Sequence, residues 1–201
     1  MARKKESKGL APSKTRIIGA GITEMYYMKS LQLLLGFKAE IKSRFFGREN
    51  VFEINKRIEK ALNEGVDVVC LFDEDVTQWN EQERIKLNTL RQKYTNVPHV
   101  ILATSKPSIE YWFLLHYTDT NRYFETSDDV IKELRKSTPF SKTERYLTDK
   151  SWVEDLISDD KMKNAYKRAR KYAGSQMSHT NVYLMLDKLL PEIFTDGKKS
   201  E

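Results

Sequence analysis

Short apolar runs alternate with longer amphipathic segments along the chain. The apolar runs predict four strands, at residues 15–19, 37–45, 68–72 and 98–103. Apolar positions at helical spacing predict intervening helices at residues 20–35 and 51–63. A strongly polar helix is predicted at residues 79–94, and a further helix from Pro107 or Ser108 through His116, because proline is favoured at a first helical position. This order of strands and helices predicts an α/β fold, in which a mostly parallel sheet is flanked by helices.

The pattern changes after Tyr117, where no comparable strand run appears. Three further helices are predicted, at residues 127–137, 151–173 and 178–190. We therefore expect a single α/β domain with a helical C-terminal extension. The predicted divisions are a flexible basic arm at 1–14, the domain at 15–190 with its extension from about 127, and a tail at 191–201.

Composition narrows the class of protein. No apolar run approaches the roughly 20 residues that span a bilayer, and residues 1–8 lack an apolar signal core, so we expect a cytoplasmic protein without a membrane partner. Cys70 is the only cysteine, which excludes an internal disulfide and favours a buried packing role. His99, His116 and His179 are too separated to suggest a zinc site, and His116 is expected to be a hydrogen-bonded structural histidine.

The formal net charge of +6 is compatible with a nucleic-acid partner. Residues 161–172 carry six basic residues and no acid. Within them Lys167, Arg168 and Lys171 share a helical face and are candidates for binding phosphate. The alternative is an ordinary solvated helix face.

Three acids, Asp73, Glu74 and Asp75, follow the strand at 68–72 directly. Open α/β sheets place their sites at the carboxyl ends of strands. Asp73 and Asp75 point to the same side of extended chain, and paired carboxylates of this kind suit Mg²⁺ or Mn²⁺. The alternative is a strand end that runs into a solvated acidic turn.

Other candidates follow the first and fourth strands. Glu24 lies just after the first strand, although a glutamate there is also favoured by the helix dipole. Glu110 has apolar neighbours on both sides and needs a partner if it is buried, unless it lies on a polar stripe that faces water. Acids on successive strand ends can hold two metal ions for phosphoryl transfer, and Lys106 could then bind phosphate.

Four segments of the chain stand out as motifs: residues 18–24, Leu-Phe-Asp-Glu-Asp at 71–75, residues 105–116 and residues 178–183. Together they resemble the RloB-like family. The first resembles its Glu-Gly-x-Thr-Glu opening, and the second resembles its metal-binding strand end. The third is similar to its Ser-Asn-Pro-x-Phe-Glu-x-Trp-Phe-Leu-Leu-His block, and the fourth to its Pro-Ser-Thr-x-Val segment. The resemblance covers roughly residues 15–190.

The resemblance implies a Toprim-like fold, as in topoisomerases, primases and OLD-family nucleases. It implies a magnesium-dependent endonuclease that cleaves DNA or tRNA in bacterial antiphage defence, beside an OLD- or ABC-like partner ATPase. The chain has no GxxxxGK[ST] loop, so ATP hydrolysis would belong to such a partner. A homodimer is a possible oligomeric state that the sequence does not decide.

Ala20 departs from the family pattern, which has glutamate four residues before Glu24. Alanine cannot bind metal or act as a base, so the resemblance implies an inactive form, whether the replacement is engineered or natural. One alternative is a non-catalytic interaction subunit that regulates a partner ATPase. A weaker one is a plain nucleic-acid-binding module that uses residues 161–172.

Overall fold

The computed structural model describes residues 15–19, 21–42, 51–74 and 81–194. Within these ranges five strands form one sheet: β1 (Thr15–Gly19), β2 (Glu40–Lys42), β3 (Asp67–Asp73), β4 (Val100–Lys106) and β5 (His179–Thr180). The helices of the same ranges are α1 (Ile22–Leu35), α2 (Val51–Asn63), α3 (Glu81–Tyr94), α4 (Glu110–Tyr117), α5 (Ser127–Leu134), α6 (Glu144–Thr148), α7 (Ser151–Ile157), α8 (Lys161–Lys171), α9 (Val182–Leu189) and α10 (Pro191–Phe194).

The sheet has the strand order β2-β1-β3-β4-β5. The first four strands are parallel, and β5 pairs antiparallel with the end of β4 through Ser105↔Thr180 and Lys106↔His179. The chain moves outward from β1 to β2 and then returns to the other side of β1 with β3. The order therefore reverses at β1 and β3, and ligands bind at such a switch point in open α/β sheets. The predicted α/β fold, with its mostly parallel sheet and helical C-terminal part, is confirmed.

β3 is buried on both faces because helices cover both sides of the sheet. Val69 and Leu71 belong to one apolar cluster, with α1 and the C-terminal helices. Alternate residues of the same strand belong to a second cluster, with α2 and α3. Cys70 lies there as a buried residue packed among apolar side chains, as predicted. This arrangement explains why the strand reads as a continuous apolar run.

The first half of the chain follows the predicted pattern closely. α2 has the predicted bounds, and α1 ends at Gly36, which adopts a left-handed conformation with φ of 72°. The second strand is shorter than predicted, since β2 covers Glu40–Lys42 and residues 43–50 lie outside the described residues. The predicted arm at 1–14 and most of the tail also lie outside them.

Several boundaries around and after β4 were predicted wrongly. β4 extends to Lys106, so α4 begins at Glu110 and not at Pro107 or Ser108; the Lys106–Pro107 peptide bond is cis. The predicted helix at 151–173 is two helices, because Asp159 and Asp160 have φ of 47° and 58° and end the helical path.

Three short elements near the C-terminus were missed: α6, β5 and α10, the last within the predicted tail. Among the described residues, no helix is long and apolar enough to cross a membrane.

Candidate functional site

Three acids meet near the carboxyl ends of the central strands. Glu24 is in the first turn of α1, after β1; Asp73 is the last residue of β3; Glu110 is the first residue of α4, after β4. Because β1, β3 and β4 are adjacent and parallel, these positions share one edge of the sheet. Glu24 and Glu110 are buried, with 4% and 1% of their surface exposed.

Asp73 is held by the start of α4. Its Oδ1 accepts a hydrogen bond of 2.7 Å from the backbone N–H of Ile109. Backbone N–H groups in the first turn of a helix have no partner within the helix, so a carboxylate is a favourable acceptor there. This bond joins the end of β3 to the segment that carries Glu110.

Lys142, on the segment between α5 and α6, contacts one of these three acids. Its Nζ lies 3.1 Å from Oε1 of Glu110. Burial alone would lower the pKa of Lys142, but the negative charges of Glu110, then Asp73 and Glu24, outweigh burial and raise the pKa above its ordinary value. All three carboxylates therefore act on a single ammonium group. We call Glu24, Asp73, Glu110 and Lys142 the acid cluster.

The carboxylate of Glu110 is the least satisfied group in the acid cluster. Both its oxygens are inaccessible to solvent, and neither accepts a hydrogen bond from the described residues. Buried carboxylates are normally hydrogen-bonded, paired or metal-bound, and the ion pair with Lys142 is the partner seen here.

The donor chemistry of the acid cluster fits a hard divalent cation, since Mg²⁺ and Mn²⁺ prefer carboxylate oxygens. In the structure, however, the Glu110 carboxylate is paired with the Lys142 ammonium. Within the described ranges, no three Asp, Glu, His or Cys side chains are grouped so as to hold a metal ion. Ala20 and Asp75, the other predicted members of the site, lie outside the described residues.

Gly21 is a residue of this site that the sequence reasoning did not single out. A Cβ atom added there would lie 2.7 Å from Oε2 of Glu24, closer than van der Waals contact permits. The backbone of Gly21 therefore passes directly against the Glu24 carboxylate. The available signal was its place in the Gly-Ile-Thr-Glu run at 21–24.

Glu74 lies next to Asp73 but belongs to a different group of side chains. It is buried, forms an ion pair with Arg91 of α3, and has Nε2 of His179 at 3.6 Å from its Oε1. Burial would raise the pKa of Glu74, but the contact with His179 and the charge of Arg91 lower it to about 2. The contact with Glu74 in turn raises the pKa of His179. Glu74 thus fastens β5 and α3 to the end of β3.

Lys106 is directed toward the loop that precedes β5. Its Nζ donates a hydrogen bond of 3.1 Å to the carbonyl oxygen of Gln176 and lies 5.6 Å from the ring centre of Tyr123. Next to it, the hydroxyl groups of Ser105 and Thr180 are 2.8 Å apart. Its predicted role in phosphate binding stays a prediction.

The three basic residues predicted to bind phosphate differ in their surroundings on α8. Arg168 donates a hydrogen bond of 2.7 Å from Nη1 to the carbonyl oxygen of Leu115, near the C-terminus of α4. Lys171 forms an ion pair of 3.0 Å with Asp119, whereas Lys167 is exposed. Arg168 therefore has a structural role, whether or not it also meets phosphate.

Two of the histidines are parts of the scaffold. Nδ1 of His116 lies 2.9 Å from the carbonyl oxygen of Trp112, and burial lowers its pKa to about 3, so the ring is neutral and structural as predicted. Nδ1 of His99 is 2.8 Å from Asp67, at the amino-terminal end of β3, away from the acid cluster.

Comparison with known proteins places this site within one family. Comparison with curated proteins gave no match, and neither did comparison with solved structures. The family model described as RloB-like protein matches residues 17–189, a span that begins in β1 and ends with α9. Glu24, Asp73, Glu110 and Lys142 all lie within the match. The chain therefore belongs to the RloB-like family.

Proposed function

We propose that this protein is a divalent-metal-dependent endonuclease that cleaves DNA or tRNA as the effector of a bacterial antiphage system. The observation that carries the proposal is the acid cluster, where acids that follow three adjacent parallel strands share one edge of the sheet, at its switch point, and Glu110 pairs with the Lys142 ammonium. The burial of the Glu110 carboxylate supports it, because a carboxylate in that position requires a positive partner, as the contact with Lys142 illustrates.

Glu24, Asp73 and Glu110 would hold Mg²⁺ or Mn²⁺, together with Asp75. When bound, such ions polarise a phosphodiester and activate water for its hydrolysis. The hydrogen bond from Ile109 fixes the direction of the Asp73 carboxylate, which is the kind of rigid positioning that metal ligands need.

Binding of the substrate would fall to the basic residues near this edge and on α8. Lys106 and Lys167 carry positive charge that can attract the phosphate backbone without reading sequence. Since the chain has no Walker A loop, we propose that a partner ATPase controls the activity in the cytoplasm.

Ala20 makes this form of the protein inactive in the proposed account. The test is Ala20→Glu, assayed for Mg²⁺-dependent cleavage of duplex DNA and of tRNA, with and without a co-expressed partner, and for toxicity in cells. Ala20→Gln is the matched control, since it adds nearly the same volume without a charge. We expect cleavage for Ala20→Glu alone, and loss of cleavage when Asp73→Asn is added to it.

A second candidate function is a non-catalytic subunit that regulates a partner ATPase. Lys142 favours it, because its ammonium already pairs with the Glu110 carboxylate without any metal. Absence of cleavage and toxicity in Ala20→Glu, with the partner present, would reject the nuclease proposal in favour of this one.

A further inference from the structure

Lys142 contacts a buried carboxylate although nearly half of its own side chain is exposed. Its Nζ is 3.1 Å from a carboxylate that is 1% exposed, whereas 44% of the Lys142 side chain itself is exposed. A lysine side chain is long and flexible, and its ammonium is strongly hydrated in water. The group can therefore leave Glu110 for solvent by rotation about its own side-chain bonds.

The backbone around Lys142 is fixed on both sides. Phe140 is buried among aromatic side chains, and its carbonyl oxygen accepts a hydrogen bond of 2.9 Å from Nε of Arg135. Thr143 caps α6 by accepting a hydrogen bond from the backbone N–H of Tyr146. Movement of the Lys142 ammonium would therefore leave the fold unchanged.

A divalent ion and this ammonium would compete for the same oxygen atoms. An ion bound to Glu110 would lie within a few ångströms of Nζ, where two positive charges repel strongly in a poorly solvated site. The observed contact of Nζ with Oε1 of Glu110 occupies one of the oxygen atoms that such an ion would need.

We propose that Lys142 is a tethered counter-ion that keeps the acid cluster free of metal, and that a divalent cation binds only when this side chain moves to solvent. The inference rests on the metal site of the proposed function and adds its regulation. A nucleic-acid phosphate near the site offers the departing ammonium a new anionic partner, so substrate binding and metal binding would assist each other.

The test is Mn²⁺ binding to the protein alone, measured by the loss of the free-ion EPR signal. Lys142→Met keeps the length of the side chain and removes its charge, so we expect at least about tenfold tighter Mn²⁺ binding. Lys142→Arg, which keeps the charge, should bind Mn²⁺ as weakly as the unmodified chain. Lys136→Met is the matched control, since Lys136 is an exposed lysine paired with Glu133 and its removal should leave Mn²⁺ affinity unchanged.

Thermal unfolding provides a second readout, which stays informative if the metal-free Lys142→Met variant is less stable than the unmodified chain. Lys142→Met leaves the Glu110 carboxylate buried without its partner, so its Tm should be lower than that of the unmodified chain when metal is absent. Added Mn²⁺ should raise the Tm of Lys142→Met more than that of the unmodified chain, because tighter binding to the folded state stabilises it more.

Together with the cleavage assay of Ala20→Glu, the Mn²⁺ titrations distinguish failure of this inference from failure of the nuclease proposal. Equal or weaker Mn²⁺ binding by Lys142→Met overturns the counter-ion role. No Mn²⁺ binding by any variant overturns both the metal site and this inference. Tighter binding by Lys142→Met, without cleavage by Ala20→Glu, supports the inference and rejects the nuclease.

Discussion

Glu74 and Asp73 are adjacent acids whose removal should have opposite consequences. Glu74 is 10% exposed in its side chain and pairs with Arg91 and His179, whereas Asp73 belongs to the acid cluster. Glu74→Gln should therefore destabilise the fold and spare the metal-binding oxygens. Asp73→Asn should weaken metal binding with a smaller effect on stability.

The magnitude for Glu74 follows from its pKa, which falls from an ordinary 4.5 to about 2 in the folded protein. Each pKa unit corresponds to about 1.4 kcal/mol, so the ionised carboxylate contributes about 3 kcal/mol to the free energy of unfolding at neutral pH. Because this pKa is lowered, the contribution is complete above about pH 5 and is lost as the pH falls toward 2.

Denaturant and thermal unfolding between pH 7 and pH 3 provide the assay. At pH 7 the Tm of Glu74→Gln should be about 6–12 °C below that of the unmodified chain, and the difference should shrink as the pH falls. Glu59→Gln is the control, because Glu59 is an exposed partner of Lys93 and its loss should change the Tm little. A Tm for Glu74→Gln close to that of the unmodified chain, with a parallel pH profile, would refute the reasoning.

Two further predictions concern the neighbours of the site. Gly21→Ala should fold normally, because the added Cβ meets only the flexible end of Glu24. It should weaken Mn²⁺ binding about tenfold, which corresponds to about 1.4 kcal/mol. Gly19→Ala is the control, because its Cβ would make an ordinary 3.5 Å contact and should leave Mn²⁺ binding unchanged. Arg168→Gln should lower the free energy of unfolding by about 2 kcal/mol, because it loses the hydrogen bond to the carbonyl oxygen of Leu115. Lys167→Gln should leave stability unchanged. It should instead reduce the slope of log affinity for nucleic acid against log salt concentration by about 0.9. Equal Mn²⁺ affinity for both glycine variants, or equal stability for both basic variants, would contradict these assignments.

Local pattern was sufficient to predict the parallel sheet and its first two helices. The alternation of apolar runs and amphipathic segments located β1, β3, α1 and α2, because the two strands contain short apolar runs and the two helices are long enough to show the helical period. Gly36 marked the end of α1 correctly because only a residue that tolerates positive φ suits that position.

The elements that were missed depend on tertiary contacts or on unusual backbone. β5 has two residues, too few to show a period, and it forms because β4 offers a partner for it. The break before α8 depends on positive φ at Asp159 and Asp160. Aspartate tolerates positive φ, but its presence in a sequence does not by itself predict it.

The same distinction holds within the acid cluster. Glu24, Asp73 and Glu110 could be selected from the sequence because each follows a recognisable strand. Lys142 could not, since it lies in an irregular segment and reaches Glu110 only through the fold.

The location of a bound metal tests the central claim most directly. Crystals of Ala20→Glu soaked in Mn²⁺, measured at the manganese absorption edge, would reveal each ion by anomalous scattering. The account predicts an anomalous peak about 2.0–2.3 Å from oxygen atoms of Glu24, Asp73 or Glu110, with the Lys142 ammonium displaced toward solvent. A fully occupied Mn²⁺ site elsewhere, with Lys142 still in contact with Glu110, would contradict it.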